Sequence, residues 1–142
     1  MNFDQPQRFP ARMTALPELQ SLVASACEQA GFSHEARLRT ELAIEELFTN
    51  SVQHGYAYDS TQPVWLAIEI KPGHIALRYQ DAAPAYNPLS APTRSSDLHT
   101  TQPGGFGIDL LRGMASAVRY CRENERNTLE LEFEANPPAA NQ

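Results

Sequence analysis

The sequence predicts an α+β two-layer sandwich, in which a mixed, mostly antiparallel sheet carries its helices on one face. Its 142 residues, 42% of them hydrophobic, suffice for one compact core but not for two ordinary domains. Two stretches with helical periodicity come early in the chain, and most later apolar residues alternate in strands joined by short turns. This grouping of helices and hairpin-linked strands is typical of α+β proteins.

The first half of the chain is predicted to hold an edge strand and two helices. The strand comes first, around residues 7–12. Apolar residues then recur at helical spacing from Leu16 until Gly31, a residue type that often ends helices. Ser33 is a good N-cap for the second helix, whose pattern continues to Val52.

The second half is predicted to contain two pairs of strands on either side of a long loop. Residues 63–80 alternate around a Pro-Gly turn, which indicates a hairpin. Residues 82–103 contain several prolines and no periodicity, so we expect a long loop of the kind that often serves as a functional lid. A helix is expected to open at residues 104–107. The last two strands are expected near residues 118–122 and 128–133.

Composition limits the possible classes of function. The formal charge of -6 leaves no broad basic surface to neutralise phosphates, so we expect no direct binding of nucleic acid. The first residues lack the apolar core of a signal peptide, and no stretch approaches the roughly 18 apolar residues of a membrane span. We therefore expect a soluble cytoplasmic protein without membrane contact, with one domain over residues 1–135 and a disordered tail at 136–142.

The first candidate site lies on the long second helix. Glu46, Asn50 and His54 are successive i, i+4 neighbours, so they line one stripe beside the apolar residues Leu42 and Leu47. A carboxylate in that position invites a raised pKa and base chemistry. A carboxamide oxygen one turn later suits Mg²⁺ when phosphates supply the charge. An ordinary amphipathic helix with scattered polar residues would show the same pattern.

The second candidate is Asp81, which directly follows a predicted strand. A carboxylate there can accept a hydrogen bond from an exocyclic amine such as that of adenine. The small residues Ala82 and Ala83 would let a flat ring approach the backbone. A proline-rich turn that begins with Asp is the alternative interpretation.

The third candidate is the segment Gly104-Gly105-Phe106-Gly107 at a helix start. The glycines permit a tight turn, and the free N–H groups and positive dipole of the helix terminus suit a phosphate. The segment is not a P-loop, because no Gly-Lys-Ser/Thr follows it. A simple flexible hinge remains the alternative.

The order of these motifs resembles that of the GHKL ATPases, which include gyrase and the sensor histidine kinases. The segments ELAIEELFTNSVQHGY, DAAPAYNPL and GGFGIDLLRGMASAVRY resemble, more closely still, the small bacterial serine kinases that act as anti-sigma factors. The similarity covers about residues 8 to 134. It implies a histidine-kinase-like ATPase domain with the Bergerat ATP-binding fold.

The resemblance also assigns roles to residues of this chain. It implies that Glu46 is a general base, Asn50 a Mg²⁺ ligand and Asp81 the residue that holds the adenine amino group of ATP. One position departs from the family, because Ala83 stands where its Asp-x-Gly motif has glycine. If that position needs a positive φ or direct contact with adenine, the Cβ would cost affinity. The remaining implied ATP contacts are His54, Gly104, Gly105, Phe106, Gly107 and Thr128.

By the same resemblance, the chain is an ATP- and Mg²⁺-dependent protein-serine kinase. It would phosphorylate a STAS-domain anti-sigma antagonist, sequester a sigma factor and form a homodimer. A non-catalytic module that sequesters a sigma factor or another regulator, with a degenerate ATP pocket, is the alternative. The ATPase domain of a histidine kinase is less well supported, because no phosphoacceptor-histidine hairpin is recognisable, and a hydrolase of the gyrase type would need further domains.

Overall fold

The computed structural model describes residue 3, residues 5–85 and residues 111–135. A single turn of 3₁₀-helix precedes the first α-helix, and a π-helical turn, Ser51–Gly55, continues the second. Residues 111–114 are helical. In chain order the main elements are β1 (Gln7–Pro10), α1 (Leu16–Ala30), α2 (His34–Asn50), β2 (Pro63–Lys71), β3 (His74–Asp81), β4 (Ala117–Glu123) and β5 (Arg126–Glu134).

The strands form a five-stranded sheet in the order β1-β2-β3-β5-β4. All pairings between its neighbours are antiparallel. The hairpin between β4 and β5 turns at Asn124 and Glu125, whose φ angles of 52° and 61° are those of the turns that match strand twist. The predicted α+β class and the mostly antiparallel sheet are confirmed, whereas no parallel pair, as a mixed sheet would have, occurs among the described strands.

Both long helices pack against one face of this sheet. Along β3, side chains alternate between the two faces, and Ile75, Leu77 and Tyr79 point toward the helices. They meet the fully buried side chains of Leu19 from α1 and Phe48 from α2. The hydrophobic core therefore lies between one helical layer and one sheet layer, as the sequence predicts.

The opposite face of the sheet carries charged residues. Arg78 Nη2 lies 2.6 Å from Glu123 Oε1, and its Nε lies 3.4 Å from Glu130 Oε2. Arg119 continues this network through Glu130 and Glu132. Half-exposed ion pairs of this kind add little stability, but they explain why strand positions alternate between apolar and charged residues.

Local signals set the helix ends, with one exception. Gly31 ends α1 at φ 79°, and the Ser33 hydroxyl accepts a hydrogen bond from Ala36 N at 3.2 Å at the start of α2. The predicted helix does continue past Val52 to Gly55, but its last turn is not α-helical. Instead, a π turn begins at Ser51, where Tyr56 N donates to the Ser51 carbonyl at 2.8 Å.

Several predicted features lie outside the described residues. They include the glycine segment at 104–107, most of the loop predicted at 82–103, and the tail at 136–142. Their structure, and the prediction of a domain over residues 1–135 with a disordered tail, therefore stay predictions. Within the described ranges, the helices fall short of the length and apolar character that crossing a bilayer requires.

Candidate functional site

A cavity of about 200 Å³ opens where the end of α2 and the π turn meet the ends of β3 and β5. Sites that enclose a whole drug-sized ligand usually measure about 300–1,000 Å³, so this cavity suits a flat base better than a complete nucleotide. Apolar and polar side chains share its wall. The lining residues are Leu47, Asn50, Ser51, His54, Gly55, Tyr79, Asp81, Ala83, Pro84, Ala85, Asn127 and Leu129.

The side chain of Asp81 accepts three hydrogen bonds within this wall. The residue is only 8% exposed. Its Oδ2 accepts from Ser51 Oγ at 2.6 Å, and its Oδ1 accepts from Asn127 Nδ2 at 2.9 Å and from Ala83 N at 3.2 Å. A carboxylate offers about four lone-pair sites. Asp81 is thus held in one orientation and can still accept a hydrogen bond from a ligand.

Ser51 and Tyr79 form a relay behind Asp81. The Tyr79 hydroxyl donates to Ser51 Oγ at 2.7 Å, which leaves the serine proton free to donate to Asp81. Burial, and secondarily the negative charge of Asp81, raises the pKa of Tyr79 well above its ordinary value. Tyr79 therefore stays a neutral donor, and the direction of the relay is fixed toward the carboxylate.

Asn127 and Arg122 fix the chain that follows Asp81. The Asn127 Oδ1 accepts from Tyr120 OH at 2.7 Å and from Arg122 Nη1 at 3.1 Å, which directs its amide nitrogen toward Asp81. Arg122 Nη1 also donates to the Ala83 carbonyl at 2.8 Å. Sequence reasoning missed Asn127, because only the pairing of β3 with β5 places it opposite Asp81.

Tyr56 holds the same turn from the other side. Its hydroxyl accepts from Ala82 N at 2.6 Å and donates to the Pro63 carbonyl at 2.7 Å. Burial is the largest of the effects that raise the pKa of Tyr56 to about 12, so the hydroxyl keeps its proton at neutral pH. The turn after β3 is thus held by three side chains, Tyr56, Arg122 and Asn127, that no local motif would have singled out.

Ala83 does not occupy the backbone conformation that would require glycine. Among the described non-glycine residues, positive φ angles occur at Ala57, Tyr58, Asn124 and Glu125, and not at Ala83. Ala83 is 2% exposed, and its Cβ lies beside the backbone of Gly55. The alanine therefore fits the turn without backbone strain.

The stripe predicted on α2 is present. Asn50 and His54 line the cavity, whereas Glu46 lies one turn earlier on α2 and is not part of the lining. Partial burial, followed by the nearby charge of Glu45, raises the pKa of Glu46 above its ordinary value. This shift makes Glu46 a stronger base than an exposed glutamate.

Thr128, which the family resemblance implies as an ATP contact, does not line the cavity. It is 1% exposed on the sheet face that points away from the helices, where its Oγ1 accepts from Gln80 Nε2 at 3.1 Å. The structure does not bring it to the cavity, since its neighbours Asn127 and Leu129 line the wall instead. Successive residues of a strand point to opposite faces, so a difference of one position decides which residue reaches the site.

The fold and the cavity agree with what is found by comparison with known proteins. Residues 9–133 match the family described as the histidine kinase-like ATPase domain. This match covers nearly the whole chain. The chain belongs to this family. As a histidine kinase-like ATPase domain, it is expected to bind ATP, and the resemblance inferred from its motifs is confirmed.

Two protein kinases are similar to this ATPase domain in sequence. Serine/threonine-protein kinase BtrW of Bordetella bronchiseptica is 30% identical over 106 residues, which is 72% of this chain and 75% of that protein. Serine-protein kinase RsbW of Oceanobacillus iheyensis is 22% identical over 118 residues, which is 79% of this chain and 75% of that protein. The predicted relationship to protein-serine kinases is therefore confirmed.

Two solved structures share the fold. The structure of the RsbU and RsbW domains of Rv1364c from Mycobacterium tuberculosis matches with a TM-score of 0.63 at 19% identity, over 96% of this chain but only 34% of that one. A chain in the SiaB-SiaC complex from Pseudomonas aeruginosa matches with a TM-score of 0.58 at 13% identity, over 92% of this chain and 89% of that one. At these identities the likeness concerns the fold alone.

The residues of the cavity fit the adenine group of ATP. Asp81 provides an oriented acceptor for an exocyclic amine, and the amide of Asn127 keeps that acceptor in place. Leu47, Leu129 and Ala83 provide apolar wall on which a ring can lie. An oriented carboxylate among apolar side chains is the combination that a planar, amine-bearing base requires.

Proposed function

We propose that this chain is an ATP-dependent protein-serine kinase that acts as an anti-sigma regulatory factor. It phosphorylates a STAS-domain anti-sigma antagonist and sequesters a sigma factor. The observation that carries the proposal is the arrangement around α2: the buried, oriented Asp81 lies in a cavity whose wall includes Asn50, and Glu46 with its raised pKa precedes Asn50 by one turn. The names of both similar kinases support transfer to a protein hydroxyl.

The adenine site positions the nucleotide. Asp81 accepts a hydrogen bond from the exocyclic amine, while Leu47 and Leu129 cover the ring. A base that carries a carbonyl at the position of the amine would bring an acceptor against an acceptor, so the site favours adenine over guanine. Gly104, Gly105, Phe106 and Gly107 are proposed to hold the phosphates.

Glu46 is proposed to act on the acceptor serine. As the serine Oγ forms its bond to the γ-phosphorus, the bond between that phosphorus and the β,γ-bridging oxygen breaks. ADP leaves with the electron pair, and the serine proton passes to the Glu46 carboxylate. The raised pKa of Glu46 favours this transfer, because it makes the carboxylate a stronger base.

Asn50 is proposed to hold Mg²⁺ together with the phosphates. The described residues contain no group of three or more His, Cys, Asp or Glu side chains able to hold a metal ion, so a neutral carboxamide would need phosphate oxygens as co-ligands. When bound, Mg²⁺ neutralises negative charge on the transferred phosphoryl group. Asn50 lies on the cavity wall, four residues after Glu46.

Charge supports the release of a phosphorylated partner. Phosphorylation adds about two negative charges to the antagonist, and this chain already carries a formal charge of -6. Repulsion then weakens the complex, and the freed kinase recaptures the sigma factor. A domain of this size offers little surface, so antagonist and sigma factor are proposed to compete for overlapping faces of a homodimeric kinase.

The alternative function, sequestration of a regulator without catalysis, depends on Ala83 as a sign of a decayed pocket. Ala83 has no positive φ, and its carbonyl and amide are both hydrogen-bonded within the site. The chain also retains Asp81, Asn50 and Glu46, the residues proposed to hold adenine, hold Mg²⁺ and act as the base. These observations favour a working nucleotide site over a decayed one.

The test is to mix the purified chain with STAS-domain proteins of the same organism in Mg·ATP and, separately, in Mg·ADP. The proposal predicts a stable complex in ADP, and serine phosphorylation followed by dissociation in ATP. Glu46→Gln, which preserves size and removes the base, serves as the matched control and should bind both nucleotide and antagonist without transfer. An antagonist that stays bound and unmodified in both nucleotides would favour the sequestering module.

A further inference from the structure

Two leucines on α2 are exposed although the rest of the helix is well packed. Leu38 is 43% exposed and Leu42 is 49% exposed, while Ala43, Ile44, Leu47 and Phe48 are buried. Leu38 and Leu42 are one turn apart and therefore form one continuous apolar strip. Single exposed apolar residues are common on proteins, but two that adjoin on one helix flank form a small patch that water solvates poorly.

This apolar strip lies next to the carboxylate of Glu46, the proposed base. Glu46 follows Leu42 by one further turn, so the three side chains lie in a row that covers about 12 Å along the helix. A serine that gives its proton to Glu46 must approach from solvent. The protein that bears this serine must therefore pass over, or lie against, the adjoining surface of α2.

A charged group borders the same row. Arg39 lies one turn before Ala43 and two turns before Glu46 on the flank of α2. Its Nη1 atom is shielded from solvent and has no hydrogen-bond partner within the part of the chain that the structure describes. A shielded guanidinium nitrogen without an acceptor is costly. Because Arg39 is only partly buried, its guanidinium can turn to meet a carboxylate or carbonyl of a bound protein.

We propose that Leu38, Leu42 and Arg39 form the docking surface for the serine-bearing protein substrate of this kinase. The surface recognises an apolar side chain next to an acidic or carbonyl group, and it presents the neighbouring serine to Glu46. This inference rests on the proposed kinase function and adds the place where the substrate binds. A second copy of the chain seated permanently on this row would cover Glu46, which argues against a self-association surface.

The experiment measures the affinity of the chain for its STAS-domain antagonist in Mg·ADP, where no transfer occurs. The double variant Leu38→Lys, Leu42→Lys should weaken binding by about tenfold or more, because it places two charges in an apolar contact. Arg39→Gln should weaken binding by about threefold to tenfold. Both variants should keep the affinity for ATP, since none of these residues lines the cavity.

Ile70→Lys is the matched control, because Ile70 is 38% exposed and lies on β2 rather than on α2. It should leave the affinity for the antagonist unchanged. The inference is overturned if the double variant binds like the wild type, or if Ile70→Lys weakens binding equally. It is also overturned if the double variant turns a dimer into a monomer and still binds the antagonist normally.

The measurements distinguish failure of the proposed kinase activity from failure of the proposed docking surface. If the wild type binds the antagonist but never phosphorylates it, the proposed activity is wrong, and the loss of affinity in the double variant still supports the docking surface. If the wild type phosphorylates the antagonist and the double variant does so with unchanged KM, the activity stands and the docking surface is wrong. If the wild type binds no STAS-domain protein, the proposed occupant is wrong.

Discussion

The backbone of Gly55 approaches Ala83 so closely that a Cβ built on Gly55 would lie 2.9 Å from the Cβ of Ala83. Carbon atoms in good contact are about 3.5–4.0 Å apart. Neither group could rotate away, because both atoms are attached directly to the backbone. The π turn that ends at Gly55 and the turn after β3 thus touch without a spacer, and both Gly55 and Ala83 line the cavity.

Gly55→Ala should therefore destabilise the protein unless Ala83 is also reduced in size. We expect Gly55→Ala to lower the free energy of unfolding by about 1–3 kcal/mol, the usual cost of overpacking. Ala83→Gly in the same chain should restore part of the loss, with a coupling energy of about 0.5–3 kcal/mol. Denaturant unfolding of the wild type, the two single variants and the double variant measures this coupling. If the two changes in the free energy of unfolding were strictly additive, the contact would be unimportant.

Ala83→Gly alone tests the departure from the family motif. If the alanine limits nucleotide affinity through contact with adenine, ATP should bind more tightly to the variant. Because Ala83 has no positive φ, we expect no relief of backbone strain from this change. Calorimetric titration with Mg·ATP measures the effect, and unchanged affinity would mean that the alanine methyl does not meet the base.

Asp81→Asn should greatly weaken ATP binding while the chain stays folded. The amide would lose the charge that accepts from Ser51 and Asn127, and it would offer the adenine amine a poorer acceptor. The loss of one charge-assisted hydrogen bond corresponds to about 1.5–3 kcal/mol of binding free energy. Calorimetry with ATP measures it and circular dichroism checks the fold. Wild-type affinity would refute the adenine assignment.

Asn127 should matter for nucleotide binding, and its neighbour Thr128 should not. Asn127→Ala removes the donor that orients Asp81 Oδ1, so we expect ATP affinity to fall by about 1 kcal/mol or more. Thr128→Val is the control, because Thr128 points to the other face of the sheet and bonds Gln80. Equal losses from the two changes would indicate a general effect on β5, and not a specific role for Asn127.

If Glu46 is the base, its pKa should determine how the rate of phosphoryl transfer depends on pH. A raised pKa means that Glu46 takes up a proton at a higher pH than an exposed glutamate, and the protonated form cannot act as base. The rate should therefore fall on the acid side with an inflection above the ordinary glutamate pKa. Since the charge of Glu45 contributes to the shift, Glu45→Gln should move this inflection to lower pH. If the profiles of kcat against pH coincide for the wild type and Glu45→Gln, this prediction is wrong.

The local structure of the chain could be predicted from sequence because its signals are local. Gly31 ends α1 and Ser33 caps α2 with groups only a few residues away. Alternation along β2 and β3, and glycine at their turn, likewise define a hairpin without distant partners. The motif that contains Glu46 and Asn50 needs only the helical period to bring its side chains to one stripe. Its order with Asp81 and with the glycines at 104–107 indicated the family.

The composition of the site was decided by tertiary structure. Asn127 meets Asp81 only because β5 pairs with β3 in one register, and a shift of one residue would have presented Thr128 instead. The π turn brings Ser51 to Asp81, although the periodicity of α2 predicts ordinary helix there. Ala83 is tolerated because Gly55, 28 positions earlier, lacks a side chain at the point of contact. These relationships depend on the distance and orientation of segments far apart in sequence, which no local pattern encodes.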